Sequence, residues 1–84
     1  MEQPKNTAEA IEKLDAILSK DDKEYLKKNG PLSVHHTLGR WIRNEWDLWE
    51  GSELKDSLIA EGFEHPDDMS NHIITLYVEK LRNG

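Results

Sequence analysis

The segment spanning residues 32–49 constrains the fold most, because it carries all three tryptophans of the chain at helical spacing. At 100° per residue, six of its apolar side chains fall within about 80° of Leu38 on one face. They are Val34, Trp41, Ile42, Trp46, Leu48 and Trp49. Glu45 is the exception, since a continuous helix would point it into the middle of that apolar arc. Burying a carboxylate is costly unless a base pairs with it. We therefore predict a helix that ends near Asn44 or Trp46, followed by an irregular turn up to residue 49.

Start and stop signals divide the rest of the chain into further short helices. Side chains that accept hydrogen bonds from free backbone N–H groups favour helix starts, whereas Gly and Pro end helices. No stretch alternates with period two for long enough to predict a strand. We predict an all-α fold, a compact single domain of four or five short helices. The signals are Asn6, Ser19, the stop Asn29-Gly30-Pro31, Ser52, Gly62 and the start His65-Pro66.

Length and composition restrict the chain further. Its 84 residues allow one domain, and a hydrophobic content of 36% allows only a small core. We expect residues 1–5 to form a flexible tail and residues 6–84 to form a single helical domain. No apolar run approaches the ~20 residues of a membrane span, and the first residues do not begin a secretory signal. There is no cysteine for a disulfide or a zinc–thiolate site, so we expect a cytoplasmic protein.

The negative charge is concentrated in one stretch. The chain has a net charge of -6, and residues 50–68 alone carry seven acidic side chains against a single base, Lys55. One interpretation is a solvated face that keeps a small protein soluble. The other is an acidic docking surface for a basic partner. A chain of this sign is a poor match for nucleic acid.

Two motifs carry a family resemblance. The run from Gly39 to Trp49, GRWIRNEWDLW, is followed by Ser52 and Leu54, and then by HPDDMS at residues 65–70. This order resembles a family of small bacterial domains of unknown function with the pattern G-x-W-I-R-N-x-W-x-L-W, S-x-L and H-P-D-D-M-S. The likeness covers roughly residues 33–81. It implies a bacterial or phage origin, and it brings no known activity, cofactor or catalytic residue.

The motifs contain charges that suit a polar clamp between helices. An arginine fork matches a carboxylate geometrically, so Arg40 or Arg43 could pair with Asp67 or Asp68 and tie the third helix to the last one. The functional alternative is a polar cleft that binds an anionic group or a partner. A third alternative is that these side chains never meet.

The histidines raise an alternative based on a metal or a small ligand. Asp68 and His72 are four residues apart on the last helix, His65 lies just before it, and one histidine of the pair at residues 35–36 could join them. Arg40 would complete such a site. The sequence contains no metal-binding motif, phosphate loop or nucleophile elbow, so we expect no cofactor and no enzymatic activity.

A binding role fits the remaining features best. Trp41 is expected to anchor the core, whereas Trp46 and Trp49 lie where the helix ends and are candidates for exposure beside the acidic stretch. We predict a protein-binding module for a basic partner, and by analogy an inhibitor or immunity-type protein. Self-association is a further alternative. The candidate interaction residues are Trp46, Trp49, Glu53, Asp56, Glu61 and Glu64.

Overall fold

Residues 3–84, the part that the computed structural model describes, form five α-helices and one short 3₁₀ helix, with no strand. No helix within these residues is long and apolar enough to cross a membrane. The Cα radius of gyration is 11.8 Å, close to the ~12 Å expected for a compact globule of this length. The predicted all-α single domain is confirmed. The helices are α1 (Thr7–Ile17), α2 (Lys20–Asn29), the 3₁₀ helix (Pro31–Val34), α3 (Leu38–Glu45), α4 (Glu53–Ala60) and α5 (Pro66–Asn83).

The last helix, α5, is the centre of the fold. It packs against α1, α2, α3, α4 and the 3₁₀ helix. Its apolar side chains recur every three to four residues. Met69, Ile73 and Tyr77 are fully buried, and Leu76 and Leu81 are half-buried. The other core side chains come from every α-helix and from the turn after α3. They are Ala10, Leu14, Leu26, Ile42, Trp46, Leu48, Leu54, Leu58, Ile74 and Val78.

Side-chain caps fix the helix starts at the predicted residues. Asn6, Ser19 and Ser52 each accept a hydrogen bond from the backbone N–H three residues further on, at 2.9, 3.1 and 3.2 Å. His65 caps α5 through its Nδ1, which accepts the backbone N–H of Asp67 at 3.0 Å. Each cap satisfies a backbone donor that would otherwise have no partner in the first turn.

Helix α3 ends within the range that was predicted from the position of Glu45. It stops at Glu45, whose side chain is exposed. Asp47 then takes a left-handed conformation with φ of 50°, and the N–H of Leu48 bonds to the Arg43 carbonyl at 3.0 Å. This closure, which resembles a Schellman motif, turns Leu48 into the core. The irregular turn therefore keeps the carboxylate in solvent while burying the next large apolar side chain.

The start of this segment differs from the prediction. The sequence predicts one helix from Leu32 onwards, but the chain forms the 3₁₀ helix, then a turn, and begins α3 only at Leu38. The Val34 carbonyl accepts bonds from both the N–H and the Oγ1 of Thr37, at 3.2 and 3.3 Å. Side-chain bonds of this kind compete with helical ones. Leu32, which lies in the 3₁₀ helix, is 76% exposed.

The N-terminal residues belong partly to the domain. Pro4 is fully buried, and the Gln3 amide donates to Asp47 Oδ2 at 2.7 Å and to the Glu45 carbonyl at 2.9 Å. The structure therefore gives Gln3 and Pro4 fixed contacts, in place of the tail that the sequence predicted over residues 1–5. Met1 and Glu2 lie outside the described residues.

Candidate functional site

An exposed tryptophan lies among the acidic side chains. Trp49 is 53% exposed, and its ring meets that of His65 edge-on with centroids 5.6 Å apart. This contact joins the turn after α3 to the loop before α5, and both segments carry exposed carboxylates. We call this surface the acidic edge and define it by five exposed residues. They are Trp49, Glu50, Glu53, Asp56 and Glu64.

The α4 helix holds the acidic edge together. Lys55, near its start, donates from Nζ to the Trp49 carbonyl at 3.3 Å, and Ser52 donates to the Trp46 carbonyl at 3.0 Å. Glu53 and Asp56 are three residues apart on this helix and therefore lie on neighbouring positions of its surface. The backbone of the Trp49 turn is thus anchored while the indole ring remains accessible.

Two other predicted interaction residues do not belong to this surface. Trp46 is only 5% exposed and forms part of the core, so it lacks the exposure that made it a candidate interaction residue. Its burial follows from the tight turn after α3, which draws the chain back over the helix end. Glu61 accepts a hydrogen bond from Thr7 Oγ1 at 3.0 Å and lies 3.8 Å from His72 Nε2. Its carboxylate therefore connects α4 to α1 and α5.

The predicted polar clamp forms between one arginine and one aspartate. Arg43 is buried, with its Nε 3.3 Å from Asp67 Oδ1, and it donates from Nη1 to Ser70 Oγ at 2.9 Å and from Nη2 to the His35 carbonyl at 3.3 Å. Arg40 and Asp68 are exposed, and neither makes an ion pair within residues 3–84. Arg40 lies one helical turn before Arg43, about 60° away around α3, and its side chain faces solvent.

The clamp explains why the first motif begins with glycine. A Cβ on Gly39 would lie 3.0 Å from Arg43 Nη1 and 3.6 Å from Ser70 Oγ. The guanidinium therefore lies close to the helix backbone at a residue that has no side chain. Residues from both motifs meet in this contact, and the contact is structural because it fixes α3 on the first two turns of α5.

The histidines do not assemble a metal site. Within residues 3–84, no three His, Cys, Asp or Glu side chains are arranged to hold a metal ion. The Nδ1 of His65 is already used as the cap of α5, and the ring of His72 stacks on Phe63 with centroids 4.2 Å apart. The expected combination of these two side chains with Asp68 and Arg40 therefore has no geometric basis.

A buried tyrosine forms a polar contact that the sequence analysis missed. The Tyr77 hydroxyl donates to Asp15 Oδ1 at 3.0 Å, and Lys23 Nζ lies 3.4 Å from the same oxygen. Burial, and then this hydrogen bond, raise the pKa of Tyr77 above its usual range. The bond from Tyr77, and then the contact with Lys23, lower the pKa of Asp15. The contact joins α1, α2 and α5.

A second exposed surface lies between α2 and α3. It is an open cavity of about 280 Å³ whose walls include Leu18, Tyr25, Leu38 and Trp41, with the carboxylate-bearing Asp22 also lining it. We call it the aromatic groove. Trp41 is 39% exposed and meets the buried Trp46 edge-on at 5.5 Å, so the prediction that it anchors the core is only partly met.

One residue of the aromatic groove is conspicuous in the sequence. Tyr25 is the only aromatic side chain of α2, whose other residues are almost all charged. A lone aromatic residue on such a helix is unusual for a purely solvated surface. Its meaning depends on the position of α3, and the local pattern does not contain that information.

These features define a small all-helical domain with an internal arginine clamp and two exposed surfaces built around aromatic side chains. The chain belongs to the family described as the domain of unknown function DUF6794, whose sequence model matches residues 3–81. The predicted resemblance to a family of unknown function is confirmed, and the match includes the N-terminal helices that the motifs did not reach. Comparisons with curated proteins and with solved structures gave no match.

Proposed function

We propose that this domain is a protein-binding module whose acidic edge docks on a basic surface of a partner. The observation that carries the proposal is the exposure of Trp49 beside Glu50, Glu53, Asp56 and Glu64. Tryptophan is the residue type most enriched among those that dominate binding energy, especially where a polar rim surrounds it. The other apolar residues of the same turn, Trp46 and Leu48, are buried, so the exposure of the indole is not a general feature of this turn.

Electrostatics supports a basic partner. Of the seven acids in residues 50–68, only Asp67 is committed to the arginine clamp and only Glu61 to contacts with other helices. The remaining carboxylates face solvent, where they attract a positively charged surface over about a Debye length, ~8–10 Å at moderate salt. Such steering raises association rates and makes complex formation dependent on salt.

A binding role without catalysis is the function class that we infer. A small acidic domain of this kind suits an inhibitor or immunity-type protein, which acts by covering a partner's surface. The net charge of -6 favours a protein partner over nucleic acid. The absence of cysteine is compatible with action in the reducing cytoplasm.

A capture experiment with two charge-matched variants tests the proposal. The tagged domain is incubated with bacterial lysate at low and at moderate salt, and the bound proteins are identified by mass spectrometry. The edge variant combines Trp49→Ala with neutralisation of the four acids of the acidic edge. The control variant neutralises the same number of exposed acids elsewhere. Its substitutions are Glu12→Gln, Asp21→Asn, Glu24→Gln and Glu79→Gln.

The two variants separate a specific surface from general charge. We expect a stoichiometric partner that the wild type and the control variant both retain and the edge variant loses. Retention should weaken as salt rises, because counterions screen exposed charges. A partner held equally by the edge variant would contradict the proposal. Far-UV circular dichroism of both variants verifies that they fold.

A further inference from the structure

The aromatic groove offers a cation two kinds of contact at once. Its walls are apolar and include Tyr25 and Trp41, both of them more than one third exposed. The one acidic side chain that lines it is Asp22, whose carboxylate makes no ion pair or hydrogen bond within residues 3–84. The neighbouring base Lys23 is directed to Asp15 on α1. The groove therefore combines exposed aromatic rings with an exposed carboxylate that pairs with no base within residues 3–84.

This combination matches a guanidinium better than other groups. A planar guanidinium stacks on aromatic rings and pairs with a carboxylate through two parallel N–H bonds, whereas an ammonium is a compact and strongly hydrated charge. The methylene stem of an arginine would lie on the aliphatic walls formed by Leu18 and Leu38. A neutral apolar group would satisfy those walls but leave Asp22 without a counter-charge.

The size of the groove indicates a side chain as the occupant. Its volume of about 280 Å³ lies at the lower limit of the ~300–1,000 Å³ usual for small-molecule sites. It is also open to solvent, whereas cofactor sites enclose most of their ligand. An acidic domain with a net charge of -6 attracts arginine-bearing surfaces, and arginine is among the residues enriched at binding hot spots.

We propose that the aromatic groove binds an arginine side chain of a basic partner protein. The proposal rests on the function proposed above in one respect only, namely that the partner is a protein with a basic surface. It assigns a second contact, on α2 and α3, separate from the acidic edge. Asp22 pairs with the guanidinium, and Tyr25 and Trp41 provide the rings on which it stacks.

A titration with two model peptides tests this assignment without the natural partner. The ¹⁵N-labelled domain is titrated at constant ionic strength with a blocked tripeptide that carries one arginine between two glycines. The matched ligand carries citrulline instead, which has nearly the same shape and no charge. The readout is the chemical shift of the Trp41 indole N–H, identified with a Trp41→Phe variant. We expect saturable shifts, with the arginine peptide binding about fivefold or more tightly.

Neighbouring carboxylates provide the control for charge. In Asp22→Asn, the preference for arginine over citrulline should disappear. In Asp21→Asn, an adjacent exposed carboxylate that does not line the groove is neutralised, and the preference should persist. Equal binding of the two peptides by the wild type would overturn the proposal. So would an unchanged preference in Asp22→Asn or the absence of any shift at Trp41.

The same spectra separate this proposal from the proposed function. Shifts confined to the Trp49 indole would place the arginine at the acidic edge and overturn the assignment to the aromatic groove, while leaving the binding role intact. Conversely, shifts at Trp41 together with a partner that the edge variant still captures would contradict the acidic edge and support the aromatic groove.

Discussion

The Arg43 clamp predicts a large loss of stability when the guanidinium is removed. In Arg43→Met the unbranched stem is kept, and the contacts with Ser70, the His35 carbonyl and Asp67 are lost. The buried 2.9 Å bond to Ser70 contributes about 1–1.5 kcal/mol and the longer bond to His35 about 0.5 kcal/mol. The ion pair adds at most about 1 kcal/mol, because the Asp67 carboxylate is 45% exposed. Since removing a buried charge also relieves its desolvation, we expect a net loss of about 2 kcal/mol.

Urea unfolding followed by far-UV circular dichroism measures this loss. The matched control is Arg40→Met, which removes an exposed guanidinium from the same helix and should change the free energy of unfolding by less than about 0.5 kcal/mol. The denaturant slope should be the same in both variants, because neither changes the surface exposed on unfolding. A loss in Arg43→Met no larger than in the control would refute the clamp.

Three further predictions follow from burial and hydrogen bonding. Trp46→Ala should cost about 3–5 kcal/mol, whereas Trp49→Ala should cost less than about 0.5 kcal/mol; equal losses in urea unfolding would contradict the different burial of the two rings. Tyr77→Phe should cost about 1 kcal/mol. Because folding raises the pKa of Tyr77, the stabilisation by its neutral hydroxyl is complete below pH 10 and is lost as the pH rises further. The free energy of unfolding should therefore fall less above pH 10 in Tyr77→Phe than in the wild type. Gly39→Ala should not stabilise the wild type, because the new Cβ would lie against Arg43 Nη1. In the Arg43→Met background the same substitution should add up to about 1 kcal/mol from helix propensity. Stabilisation in both backgrounds would refute the close contact between Gly39 and the guanidinium.

The elements of the fold could be predicted because their signals are local. Helix starts depend on caps within three residues, and Asn6, Ser19 and Ser52 all cap as predicted. The end of α3 followed from a single energetic conflict, since Glu45 would otherwise have entered the apolar arc. An ion pair between the two motifs could also be predicted, because one motif contains arginines and the other contains aspartates. Which arginine and which aspartate would meet depended on the relative placement of α3 and α5.

The exposed surfaces could not be derived in this way. Periodicity showed that Trp41 shares a face with Ile42, but not that α2 leaves part of that face uncovered and creates the aromatic groove. The burial of Trp46 was missed because the tight turn after α3 brings the chain back over the core. The assignment of Leu32 to the same helix as Leu38 was wrong, because the hydrogen bonds of Thr37 to the Val34 carbonyl outweigh helical periodicity there. In each case a tertiary or side-chain contact decides the outcome.

Docking through the acidic edge is best tested by side-by-side capture with the wild type and the edge variant across a range of salt concentrations. We expect one stoichiometric partner for the wild type, held more weakly as salt rises, and no such partner for the edge variant. The charge-matched control variant should behave as the wild type. A partner retained by the edge variant and unaffected by salt would contradict docking through the acidic edge.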